Sequence, residues 1–202
     1  MTGDSQLHLI QAGIDLAEKL DYADATLGRV AAAAGVPVAT LEKQYVDFTH
    51  YLIAVQQFLL NEQRTDMIAA STGIPPGLER IRISTTTFLD TCLRRLAVRK
   101  WLMQARRDED LVAEGLRRQT HSFALIVSTE FHALGWPYPL AAAHLYLAAI
   151  QEAARTEQSA GKPVKAVREA IWKIASTYIE PAAVKPAARK RAAAKRAAPK
   201  KR

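Results

Sequence analysis

The chain has a single cysteine, Cys92, in 202 residues. It cannot form an internal disulfide, and it has no neighbour at metal-ligand spacing. The five histidines are scattered and show no zinc-site spacing. There is no glycine-rich phosphate loop. Glycine and proline number nine each, too few for a loop-dominated fold. No stretch alternates apolar and polar residues as a half-buried strand would. No apolar run approaches the ~18 residues of a membrane span, and the opening "MTGDSQLHLI" lacks a basic region followed by an apolar core. These absences argue against a metalloenzyme, a nucleotide hydrolase, a secreted disulfide scaffold and a membrane-spanning protein. The expectation is a soluble, cytoplasmic, bacterial, all-α protein needing no cofactor or metal.

Basic residues are also absent where they would be most useful. The first 52 residues carry only Lys19, Arg29 and Lys43 against seven acids: Asp4, Asp15, Glu18, Asp21, Asp24, Glu42 and Asp47. Yet the formal net charge is +8. The excess comes from one place. Nine of the 28 basic residues and none of the acids fall within 185–202, leaving 19 basic against 20 acidic in the other 184 residues. Such asymmetry suggests a tail directed at a nucleic acid or a membrane surface.

What is present is helical. Leu9, Ile10, Ile14, Leu16, Ala17 and Leu20 recur at helical spacing, predicting a first helix over 5–20. Leu27, Val30, Ala31 and Ala34 form one buried face of a second helix, with Thr26 as its N-cap. Gly35 stands where that helix must stop in a left-handed conformation. Pro37 suits the first turn of a third, seated by Leu41 and Tyr45. Asp47 caps a long fourth helix whose face runs through Leu52, Val55, Leu59 and Met67.

"STGIPPG", residues 71–77, is the clearest breaker. Beyond it the pattern predicts two helices or one kinked one, then a polar corner at Asp108, Glu109 and Asp110. Further helices follow over 111–134, 140–158 and 164–179. The corner reads as a solvated cap, and with no acid–base constellation elsewhere an enzyme is not expected.

The run "ATLGRVAAAAGVPVATLEKQY", with an amphipathic helix before it and Asp47 and a long helix after it, resembles the amino-terminal domain of the TetR/AcrR family of bacterial transcriptional regulators. The resemblance covers residues 8–60 by motif and the later helices by number and length. It implies a helix-turn-helix DNA-binding domain over 1–52, a helical ligand-binding and dimerisation domain over 53–182, and here a basic tail over 183–202. The third helix would enter a major groove of double-stranded DNA. Gln44 could pair with adenine, and Lys43 could reach guanine or phosphate. Val38 and Ala39 could meet thymine methyls. Thr40 and Tyr45 complete that set, and Thr26 and Arg29 could hold phosphates.

Three positions depart from the family pattern. Glu42 stands for an aromatic, Phe48 for a basic residue, and Pro37 for a capping serine.

The tail resembles the Lys/Ala/Pro-rich tails of bacterial histone-like proteins. Its cations are Lys185, Arg189, Lys190, Arg191, Lys195, Arg196, Lys200, Lys201 and Arg202. No apolar side chain larger than alanine follows Val184, so an unstructured, nucleoid-associated segment is expected. It would add non-specific affinity for phosphate.

The family's body encloses a small-molecule cavity and pairs its last two helices into a homodimer. Phe88, Cys92, Trp101, Met103, His121, Phe123, Leu125 and Tyr146 are the pocket candidates for a small apolar or amphipathic ligand. Ala141, Ala142, Ala143, Ala148 and Ala149 would allow close helix approach, and Ile171, Ile174, Ala175 and Tyr178 give the last helix an apolar stripe. The resemblance implies a ligand-responsive repressor on a near-palindromic operator. The other reading is an architectural or tethering protein. It would bind DNA non-specifically by its tail, and a partner, lipid or granule by its helical body.

Overall fold

The computed structural model describes residues 3–177. The tail cations from Lys185 to Arg202, and Tyr178 of the last apolar stripe, lie outside them. The described chain is all-helical: α1 Gly3–Ala17, a 3₁₀ turn Tyr22–Asp24, α2 Leu27–Ala34, α3 Val38–Glu42, α4 Phe48–Ser71, α5 Leu78–Arg94, α6 Leu96–Asp108, α7 Asp110–Ala133, α8 Pro139–Ala160 and α9 Lys165–Thr177.

The helix ends form where local chemistry places them. The Thr26 hydroxyl accepts the Arg29 N–H at 3.2 Å, a cap worth about 1 kcal/mol. Gly35 ends α2 at φ 67° with its N–H turned back to Ala31 and Ala32, the left-handed stop that glycine adopts without a Cβ penalty. Asp47 caps α4 by accepting the His50 N–H at 2.8 Å. That bond, with the His50 side chain, holds the Asp47 carboxyl below its ordinary range.

Some boundaries differ from the sequence expectation. α1 ends at Ala17 instead of 20, because the chain turns there with Lys19 N–H on the Leu16 carbonyl. Pro37 occupies the N-cap of α3 and not its first turn, with ψ 142°. The pair α5 and α6 is two helices, broken at Arg95. There Arg94 and Arg95 both reach back to α4, onto Asp66 and Glu62.

Two apolar cores result. The first gathers Leu9, Ile10 and Ile14 of α1, Val30, Ala31 and Ala34 of α2, Leu41 of α3, and Tyr51, Leu52, Val55 and Leu59 of α4. It also takes Val98, Trp101, Leu102 and Ala105 of α6. The head is thus packed on a helix from the middle of the chain. The second core holds Ile81, Leu89 and Cys92 of α5, Ala124 and Phe131 of α7, Ala143, Tyr146 and Ile150 of α8, and Ile171 and Ala175 of α9. Ile174 does not join them. It is half exposed, so the α9 stripe divides between an inner and an outer face.

Tyr51 closes the head. It is fully buried, and its hydroxyl donates to the Leu9 carbonyl at 3.0 Å. It needs a glycine opposite, since a Cβ on Gly13 would lie 1.8 Å from the Tyr51 oxygen. Gly13→Ala is expected to lower the urea midpoint, worth about 1–3 kcal/mol for an overpacked core. Gly28→Ala is the control. Its Cβ meets nothing closer than 3.8 Å, so it should raise the midpoint by the ~0.5–1 kcal/mol that alanine gains in a helix.

Candidate nucleic-acid interface and internal cavity

α3 is only five residues long, and its orientation follows from what it buries. Leu41 faces the core with no exposure. Val38, Ala39, Glu42 and Lys43 are therefore left exposed, with Thr40 and Gln44 half-buried beside them. Thr26 and Arg29 are exposed at the start of α2. Seven of the eight candidate head residues thus lie wholly or partly on the surface.

Tyr45 does not. It is buried, with its ring edge-on to Tyr51 at 5.2 Å between centroids. Burial pushes its phenol upward in pKa. Tyr45 anchors the end of the turn after α3, which corrects the expectation of a DNA-facing side chain to that of a core residue. Phe48 also turns inward, stacking on Tyr51 at 5.9 Å and meeting Trp101 at 6.2 Å.

The body holds a cavity of about 810 Å³ that opens in part to solvent, within the size range of small-molecule sites. Its apolar wall draws on Leu60 and Met67 of α4, Phe88 of α5, Met103 of α6, Phe123 and Val127 of α7, and Tyr146 of α8. The Tyr146 hydroxyl shares a 2.9 Å hydrogen bond with the Thr85 hydroxyl. Burial pushes that phenol up to about 12. At another part of the wall Arg80 pairs with Glu130, whose second oxygen accepts the Gly77 N–H at 3.0 Å.

Of the eight pocket candidates, Phe88, Met103, Phe123 and Tyr146 line this space. The other four do not. Trp101 is buried in the head core, and its indole N–H donates to the Leu20 carbonyl at 2.8 Å. Cys92 sits in the second core, with Gln63 Nε2 at 3.4 Å from its sulfur. His121 is exposed on α7 and stacks on His144 of α8 with centroids 5.5 Å apart. Leu125, one turn further along α7, is half exposed on the outside.

A search of the sequence for aromatics and methionine misses the polar wall. Gln56 and Gln63 of α4 and Arg99 and Arg106 of α6 line the cavity together. Arg106 Nε donates to Gln56 Oε1 at 3.3 Å, and Gln56 Nε2 donates to the Val112 carbonyl at 3.3 Å. Burial, and then the neighbouring Arg99 charge, lower the Arg106 guanidinium to about 10. A signal for these residues does exist. Gln56, Leu59, Leu60 and Gln63 follow i, i+3, i+4, i+7, as do Arg99, Leu102, Met103 and Arg106. Each stripe is apolar in the middle and polar at both ends.

Among the described residues no group of three His, Cys, Asp or Glu side chains lies together as a metal site would require. No helix there is long and apolar enough to cross a membrane. Burial raises the Cys92 thiol pKa, so the reactive thiolate is scarce as well as covered. A disulfide reagent at pH 8 should label Cys92 at least about 100-fold more slowly in the folded protein than in denaturant, the factor that a local opening cost of ~3 kcal/mol implies. Rapid labelling of the native protein would place the thiol on the cavity surface after all.

No protein-family model matches the sequence, and no curated protein does. Solved structures do match in shape. A transcriptional regulator from Rhodococcus sp. superposes with a TM-score of 0.74 at 17% identity, over 86% of this chain and 95% of that one. A candidate transcriptional regulator from Pseudomonas aeruginosa follows at 0.68 and 12%, over 89% and 90%. The TetR family repressor AlkX from Dietzia sp., implicated in n-alkane biodegradation, gives 0.58 and 16%, over 86% and 95%. At these identities the likeness is one of architecture, and on that architecture the chain has the TetR-like fold.

Proposed function

We propose that the chain is a DNA-binding transcriptional regulator, a repressor released from a near-palindromic operator by a small ligand in its body. The observation that carries this reading is the sharing of helices. α4 and α6 each turn one face to the head core and the other to the cavity. Leu52 and Val55 pack the head, while Gln56, Leu60 and Gln63 line the cavity. Val98 and Trp101 pack the head, while Arg99, Met103 and Arg106 line the cavity. A ligand that favours one arrangement of these two helices favours one setting of the head.

The reading includes a homodimer. Leu140 and Leu145 of α8 and Ile174 of α9 are exposed, Leu145 by 74%. A two-fold contact over these helices would bury them and hold two α3 helices about one DNA turn, ~34 Å, apart. Base choice would come from Val38, Ala39, Thr40, Lys43 and Gln44, and phosphate contact from Thr26, Arg29 and the tail. The acidic head makes the tail important, because attraction to phosphate sets most non-specific affinity.

Binding of genomic fragments by the full chain and by a chain ending at 184, across a salt series, tests this reading. The truncated protein is expected to select the same short palindrome with a shallower salt slope, reduced by about 0.9 for each phosphate that the tail no longer neutralises. The double substitution Lys43→Ala, Gln44→Ala should weaken the selected site about 10- to 100-fold, the range for removing base-edge hydrogen bonds, while non-specific binding changes little. If truncation abolishes all binding and no fragment is preferred, the architectural alternative replaces this one.

A further inference from the structure

Three arginines on the cavity wall, Arg64, Arg99 and Arg106, have no ion pair among the described residues; Arg64 is exposed, and Arg99 and Arg106 are the half-buried two. The acids packed around the body are engaged elsewhere. Glu62 holds Arg95, Asp66 holds Arg94, and Glu130 holds Arg80. Glu157, fully buried on α8, accepts from Nε and Nη2 of Arg168 and from the Val164 N–H. Glu152 pairs with Arg155. Among the described residues no carboxylate lies within ion-pair distance of Arg99 or Arg106. Arg106 has only the Gln56 amide, and Arg99 makes no hydrogen bond there. Both lie along one helical stripe on α6, with Leu102 and Met103 between them.

We infer that this cavity takes an amphipathic anion: a carboxylate or phosphate head received by Arg99 and Arg106, with a hydrocarbon tail along Phe88, Phe123 and Met67. The inference deepens the ligand-responsive reading above, and rests on it, by naming the ligand's chemistry. An arginine fork matches a carboxylate or phosphate with two parallel N–H···O bonds. Gln56 and Gln63 add amide donors beside it. The far wall is apolar and suits a flexible hydrocarbon chain, whereas a fully polar anion would leave it unfilled. Two like charges held in a partly desolvated space repel each other and lose hydration. The weakened hold of Arg106 on its proton is the expression of that cost. A bound anion removes it, and gains more there than it would in water because the surroundings are less polar.

The neutral glutamines also bear on which helices respond. Gln56 joins Arg106 to the Val112 carbonyl, so α4, α6 and α7 meet at the arginine pair. An anion that draws Arg106 away from Gln56 breaks that link at a point beside the head core.

The test measures ligand binding on the full-length protein without DNA, so that its failure is separate from any failure of operator recognition. Dodecanoate, dodecyl phosphate and dodecanol, each below its micelle concentration, are titrated by calorimetry and by melting temperature. Dodecanoate or dodecyl phosphate should bind and raise the melting temperature, and whichever is tighter identifies the head group. Dodecanol should bind at least on the order of 30-fold more weakly, as expected for leaving a buried charge without its partner. Arg106→Met should do two things at once. It should raise the melting temperature of the ligand-free protein, because a half-buried charge with no ion partner is gone, and it should abolish the preference for the anions over dodecanol. A structural role for Arg106 predicts the opposite stability change. Arg99→Gln supplies the second variant, and the wild-type comparison of the three ligands needs neither. Equal binding of dodecanol and dodecanoate, or no binding of either anion to the folded wild-type protein, overturns the inference.

Discussion

The structure depends on two helices that each carry two packed faces. α4 and α6 are each clamped between the head core and the cavity, and Leu59 and Leu102 belong to both surroundings. Packed interiors have the density of organic crystals, so such helices do not bend by small degrees to suit each side separately. They move as bodies or stay. Two buried hydrogen bonds fix the clamp on the head side: Tyr51 to the Leu9 carbonyl and Trp101 to the Leu20 carbonyl. Both acceptors belong to α1 or the turn that follows it. The first helix of the chain is thereby held by the fourth and the sixth, and the helix-turn-helix rests on that frame.

Of the three positions that depart from the resembled pattern, this frame accounts for Phe48. Phe48 replaces a basic residue, and the ring stacks on Tyr51 and meets Tyr22 and Trp101. Phe48 thereby makes an aromatic joint between the head and α6. Tyr45 adds another ring to the same joint from the end of the turn after α3. Aromatic pairs of this kind contribute ~0.5–1.5 kcal/mol each beyond their buried area. The head is thus poor in cations and rich in contacts that tie it to the body.

Much of this was legible in the sequence, and the failures share one cause. Thr26, Gly35 and Asp47 mark helix ends because capping chemistry is local, and the breaker at 71–77 is local too. The helical face of the head was equally plain, since Val30, Ala31, Ala34 and Leu41 have no polar competitor. Periodicity gives the phase of a buried face but not the identity of what covers it. Trp101 and Met103 are neighbours on α6 with one residue between them, and one faces the head while the other faces the cavity. Leu125 is likewise close to Phe123 on α7, yet it faces outward. Arg99 and Arg106 escape notice for the opposite reason. Arginines in a helical stripe are ordinarily a solvated face, and only the position of α4 and α7 shows that this stripe faces a cavity.

On the proposed ligand-responsive reading, the cavity-facing arginines and the two-faced helices bear together on control. A ligand shifts a conformational equilibrium only by the difference in its affinity for the two states. An apolar chain filling an apolar wall is nearly indifferent to small helix displacements, since slack contacts can be remade along its length. A charged head on a guanidinium pair is not, because charge-assisted hydrogen bonds weaken steeply with distance and angle. The part of the cavity able to discriminate between two settings of α6 is therefore the part that carries Arg99 and Arg106. That same helix, just beyond Lys100, presents Trp101 to the Leu20 carbonyl. Charge recognition and head position are separated by about half a helical turn, with no loop or flexible linker between them to absorb the displacement.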